Sequence, residues 1–95
     1  MVGVDVGREA RQVGEHLRGW RMVLGLTAAQ VSERAGISRD TLRKLETGSP
    51  TVGFDVVLRV ARALGVADSL TEALDPLRTD LGRARAGLLN RKRAR

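Results

Sequence analysis

The densest run of side chains able to do chemistry lies between Ser38 and Gly48, in the stretch Ser-Arg-Asp-Thr-Leu-Arg-Lys-Leu-Glu-Thr-Gly. Leu42 and Leu45 stand three apart, as the inward residues of an amphipathic helix do. The opposite face then holds Arg39, Asp40, Arg43 and Lys44, with Thr41 near its edge. Such a face suits the edges of base pairs: a guanidinium offers guanine two parallel donors, a carboxylate accepts from the cytosine amino group, and an ammonium reaches guanine or phosphate. We therefore expect Arg39, Asp40, Thr41 and Lys44 to read bases and Arg43 to hold phosphate. Thr27 and Ser38 precede apolar periodic runs as N-caps, and the free amides behind them, at the positive ends of helices, make both positions expected phosphate contacts. On spacing alone, a merely solvated charged face is the competing reading.

Other chemistries find little to work with. Cysteine is absent and His16 is the single histidine, so no metal-ligand cluster is expected. There is no glycine-rich phosphate loop and no nucleophile elbow, so neither an enzyme nor a cofactor is expected. Trp20 and Phe54 are the only aromatic residues, too few for base stacking on single strands or RNA, which favours duplex DNA as the partner. Apolar runs are too short for a membrane span or a signal peptide, so the expectation is a soluble, cytoplasmic protein with no membrane partner.

Net charge is a weaker guide than it looks. The chain of 95 residues has 17 Lys and Arg against 11 Asp and Glu, a formal +6. From Arg78 onward there are seven basic residues and one acid, Asp80, whereas residues 1–77 hold ten of each. The body is formally neutral, so the case for nucleic acid rests on where its charges sit.

The elements that must position these side chains read as helices throughout. Val6, Ala10, Val13, Leu17, Trp20 and Leu24 form one apolar stripe ending at Gly25, with Trp20 expected in the core and His16 beside the stripe, facing solvent. Thr27 and Gln30 have capping-box spacing and open a second helix that stops at Gly36. Ser32 is placed where the second and third helices approach, its small side chain permitting the contact. The third helix is expected over about Arg39 to Thr47. A fourth, with Phe54, Val57, Leu58, Ala61 and Leu64 inward, closes at Gly65, and Leu70, Ala73 and Leu74 suggest a short fifth. Asp75 and Pro76 then start a last amphipathic segment on Leu77, Leu81, Ala84 and Leu88, with Asn90 to Arg95 expected to be unstructured. The Leu77, Leu81 and Leu88 stripe either closes the core or forms a partner surface. The fold class is all-α: a helix-turn-helix unit at 27–48 within a domain of residues 1–75, and a C-terminal extension with a basic tail over 76–95.

The blocks Leu17-Arg-Gly-Trp-Arg-Met-Val-Leu-Gly-Leu-Thr27, Val31-Ser-Glu-Arg-Ala-Gly-Ile-Ser-Arg-Asp-Thr-Leu-Arg-Lys-Leu-Glu-Thr-Gly48 and Leu58 to Val66 resemble the lambda-repressor-like (Cro/repressor, XRE) helix-turn-helix family. The resemblance covers about half the chain. It implies a five-helix DNA-binding domain, an ion pair between Arg21 on the first helix and Glu46 at the end of the third, and base reading at Arg39, Asp40 and Lys44. Two positions depart from the family pattern: a Gln that commonly begins the second helix is Ala28, and the usual Asn after Glu46 is Thr47. A shorter likeness, Asp80-Leu-Gly-Arg83 followed by Arg91-Lys-Arg-Ala-Arg95, resembles the tail of HipB-type antitoxins and would imply a HipA-type kinase toxin as partner. The leading expectation is a sequence-specific repressor acting as a homodimer, because one recognition helix reads only a few base pairs and two half-sites extend the site.

Overall fold

The computed structural model describes residues 5–91. They form α1 (Val6–Val23), α2 (Ala28–Ala35), α3 (Arg39–Glu46), α4 (Phe54–Ala63) and α5 (Ala67–Ala73), followed by a 3-10 turn (Pro76–Arg78), α6 (Asp80–Ala84) and α7 (Leu88–Arg91). All regular structure among the described residues is helical, and no helix there is long and apolar enough to cross a membrane.

Local chemistry sets the boundaries that matter. At the start of α2 the Thr27 hydroxyl accepts from the Gln30 amide (3.0 Å), while the Gln30 side chain accepts from the Thr27 amide (2.8 Å), closing the capping box. At the start of α3 the Ser38 hydroxyl accepts from the Thr41 amide at 3.0 Å. Between them Gly36 adopts φ +71°, and the Ile37 amide reaches back to the Ser32 carbonyl at 3.0 Å. That left-handed step turns the chain sharply enough to start α3 two residues later. α3 itself ends at Glu46, with Thr47 as its cap, one residue earlier than the sequence suggests.

The core consists of Leu17, Val31, Ala35, Leu42, Leu45, Val60 and Leu64. α2 packs on α4, and α3 packs on both α1 and α2. Val31, Leu42 and Val60 are essentially sealed from solvent, so α3 is seated by its leucines while its charged face remains outside. Ser32 is buried here, its hydroxyl without a hydrogen-bond partner.

Glycine sets the α1–α3 contact. Gly14 is buried, and a Cβ there would meet the Leu45 carbonyl oxygen and lie 2.8 Å from that of Glu46. Gly48, at φ +90°, lies so close to α1 that a Cβ would fall 2.6 Å from the Cα of Arg11. α1 therefore docks on the end of α3 backbone to backbone. This corrects the apolar stripe. Gly14 is one residue, about 100°, round the helix from Val13, so docking on that side buries Leu17 and leaves Val13 and Trp20 at 45% and 47% exposure. Trp20 is not a core residue. Phe54 is likewise exposed: as the first residue of α4 it projects past a core to which that helix gives Val60, and its C-cap Leu64, with Val56 and Val57 beside them.

The extension is not one amphipathic helix. Asp75 caps the Leu77 amide, and Thr79 caps Gly82. Gly82 packs directly on the Pro76 carbonyl oxygen, leaving no room for a Cβ. The Arg83 guanidinium donates to the Leu77 carbonyl and pairs with Asp80. The segment thus folds back on itself, and an exposed pair, Arg78 with Glu72 at 3.6 Å, ties it to α5. Leu77, Leu81, Leu88 and Leu89 remain exposed, so they do not close the core. Asn90, expected to be unstructured, lies within α7, and residues 92–95 fall outside the described residues.

Candidate nucleic-acid interface

α3 presents its charged face to solvent because Leu42 and Leu45 anchor the opposite side. Asp40 accepts from the Arg43 guanidinium at 2.8 Å and lies 3.4 Å from the Lys44 ammonium, one helical turn on. Those partners, Arg43 first and then Lys44, hold the Asp40 carboxyl below the usual aspartate range although it is fully exposed. The three side chains form a small cluster with one surplus positive charge. Arg39, exposed at the first position of the helix, enters no ion pair among the described residues. Its two-donor edge is the freest on this face.

Thr41 is arranged differently from its neighbours. It is half-buried, and its hydroxyl oxygen accepts from the Ser38 hydroxyl at 2.9 Å, so it faces the cap as well as the edge of the helix. The Thr27 and Ser38 hydroxyls are both engaged in capping and take up the Gln30 and Thr41 amides, so an anion docking there would be met by the two earlier amides of each first turn, at Ala28 and Ala29 and at Arg39 and Asp40. Thr47 turns inward along its own helix, donating to the Arg43 carbonyl at 2.8 Å.

A part-buried brace holds this face. Arg21 reaches Glu46 with two parallel donors, Nε at 2.7 Å and a terminal nitrogen at 3.0 Å, and its other nitrogen donates to the Leu26 carbonyl at 3.3 Å. Both side chains are largely shielded from solvent. The hydrogen bond that Arg21 donates to Glu46 raises the Arg21 pKa above its ordinary value, outweighing the opposing effect of burial. A two-point contact of this kind fixes the rotation and tilt of α3 against α1, which a single point charge would leave free.

Beside the brace lies a cleft of about 360 Å³ lined by Arg18, Ala28, Arg39, Arg43 and Thr47. It opens where the short Ala28 side chain leaves space at the start of α2. The cleft brings Arg18 from α1 together with Arg39 and Arg43 from α3. Arg18 was not among the expected site residues. Its position beside α3 depends on the Gly14 docking, and the only hint in the sequence is that it stands four residues after Gly14 and three before Arg21. Among the described residues no group of three potential metal ligands occurs.

Comparison with known proteins places these elements. A curated relative from Methanothermobacter thermautotrophicus, described as an uncharacterized HTH-type transcriptional regulator, is 41% identical over 49 residues, which is 52% of this chain and 71% of that protein. No solved structure matches the chain. The family model described as a helix-turn-helix domain matches residues 12–74. That span takes in most of α1, the whole α2–turn–α3 unit with its Arg21–Glu46 brace, α4 and α5, and the chain belongs to the helix-turn-helix domain family.

Proposed function

We propose that the protein is a sequence-specific regulator of transcription that binds double-stranded DNA, acting in the cytoplasm as a dimeric repressor on a palindromic operator. The observation that carries this reading is α3: a rigidly braced helix whose exposed face holds Arg39, Asp40, Arg43 and Lys44. A major groove admits one such helix, and residues near its N-terminus reach base edges most easily. In this reading Arg39, Asp40 and Lys44 read bases, with Thr41 contributing at the edge. Arg43, Arg18 and the amides after Thr27 and Ser38 hold phosphates. Arg18 takes up the role that Ala28 is too short to fill.

The dimer and the operator symmetry follow from site length, and the repressor role from the resemblance to Cro/repressor proteins. The antitoxin reading rests on the shorter likeness alone; Asp80, Gly82 and Arg83, which bear part of it, make contacts inside the extension's own fold. Selection of duplexes from a random pool, followed by fluorescence anisotropy on the winner, tests the function. A two-fold symmetric site is expected, and Arg39→Ala should relax preference at one position per half-site by about 1–3 kcal/mol. Equal binding to every duplex would overturn the reading.

A further inference from the structure

Where α2 packs on α4, the two helices leave an open cleft of about 620 Å³. Arg34 from the last turn of α2 lines it together with Arg59 and Arg62 from α4, and Asp55 is the one carboxylate in the lining. Asp55 pairs with Arg59 at 3.5 Å, whereas Arg34 and Arg62 enter no ion pair among the described residues. Both of these guanidiniums are exposed. Arg62 also borders a neighbouring hollow that contains Asp68, without pairing to it. Three cations around one carboxylate leave uncompensated positive charge, which attracts acidic groups.

The rest of the cleft is apolar. Ala35 is buried, and Leu58, which the sequence places inward, is half-buried, stands outside the core cluster and lines the cleft instead. No residue of α3 lines this cleft, and it shares none with the cleft beside the brace. The DNA-binding reading therefore leaves it unused.

We infer that the α2–α4 cleft binds an acidic segment of another protein, one that carries Asp or Glu beside an apolar side chain. A nucleic-acid backbone would bring phosphate against Asp55 and would give Leu58 nothing apolar to cover it. A peptide segment supplies carboxylates for the guanidiniums and an apolar side chain for Leu58. A small anion fits less well, because small-molecule sites enclose most of their ligand and this cleft is open with its arginines exposed. Guanidinium suits such a contact: it meets a carboxylate with two parallel donors and is more weakly hydrated than an ammonium.

The probe is a random peptide library displayed on phage, selected on the full-length protein and depleted on Arg34→Gln/Arg62→Gln. Both substitutions lie at exposed helical positions, where Gln is well tolerated. Winning peptides should be acidic with apolar residues interspersed. The labelled winner should bind the double variant about tenfold more weakly, as loss of charge-assisted bonds requires, and should shift the amide NMR signals around Arg34, Leu58 and Arg62. Exchanging its acids for Gln, or its apolar residues for Ser, should weaken it comparably. Winners without acids, equal binding to the double variant, or full binding by the Ser-exchanged peptide would overturn the proposal. So would a lower salt slope of the double variant on duplex DNA, which would give these arginines to phosphates. Self-association of the unchanged protein that the double variant loses would give the cleft to a second copy and overturn it too. The two surfaces share no residue, so failure of the DNA-binding reading would leave the peptide results standing.

Discussion

Within the α3 face, Asp40 decides more than its size suggests. Its carboxylate neutralises one of two neighbouring cations, so the free protein offers DNA a weaker field there than Arg43 and Lys44 would alone. Asp40→Asn should therefore tighten binding to random duplex DNA and steepen its salt dependence, while preference for the selected operator narrows; anisotropy titrations across ionic strength measure both. Lost affinity on random DNA would mean that Asp40 instead holds Arg43 in place. Since its carboxyl titrates below the usual aspartate range, this cluster should stay intact as pH falls through that range and come apart only below it, as the pH passes the lowered value. The Arg21–Glu46 pair behaves otherwise. Arg21 has its pKa raised, so what its charge contributes is present at all pH values below the ordinary arginine range and lost only above it. Glu46→Gln should cost about 1–2 kcal/mol in denaturant unfolding, because it leaves a part-buried guanidinium unneutralised, and the loss should be the same at pH 6 and pH 9.

At the scale of the elements, the caps were legible in the sequence because they are made from local chemistry. Thr27 with Gln30, Ser38 with Thr41 and Gly36 in the turn each need only a few neighbouring residues. The docking of α1 was not legible in the same way. Periodicity showed that α1 has an apolar stripe, but which part of a helix is buried depends on the partner's shape, and here the partner is the backbone end of α3 received at Gly14. Trp20 was misplaced for that reason, and Arg18 was missed for it. Gly14→Ala tests the close approach: the added methyl must push α1 off α3, costing about 1–3 kcal/mol by overpacking. Operator affinity should fall more than stability alone requires, since the brace at Arg21 moves too. Ser32→Ala makes the opposite case. Its buried hydroxyl has no partner, so removing it should leave thermal stability unchanged or slightly raised. A clear loss would reveal a hydrogen bond that the fold does not show.

For the whole molecule the question is which charges face the DNA. Residues 1–77 are formally neutral and the excess lies from Arg78 onward, so a uniform electrostatic picture would give the tail the main part in binding. The fold suggests a different division. The cations Arg18, Arg39, Arg43 and Lys44 lie on α3 or beside its cleft. In the proposed reading these four cations, and not the charge excess from Arg78 onward, carry the phosphate and base contacts. Each phosphate contact contributes about 0.9 to the slope of log affinity against log salt on duplex DNA. Replacing Lys92, Arg93 and Arg95 together by Gln should then leave the operator slope unchanged, whereas Arg18→Gln in the dimer should lower it by nearly 2, one contact per half-site. A slope that falls with the tail and ignores Arg18 would put the tail on the phosphates and the cleft away from them.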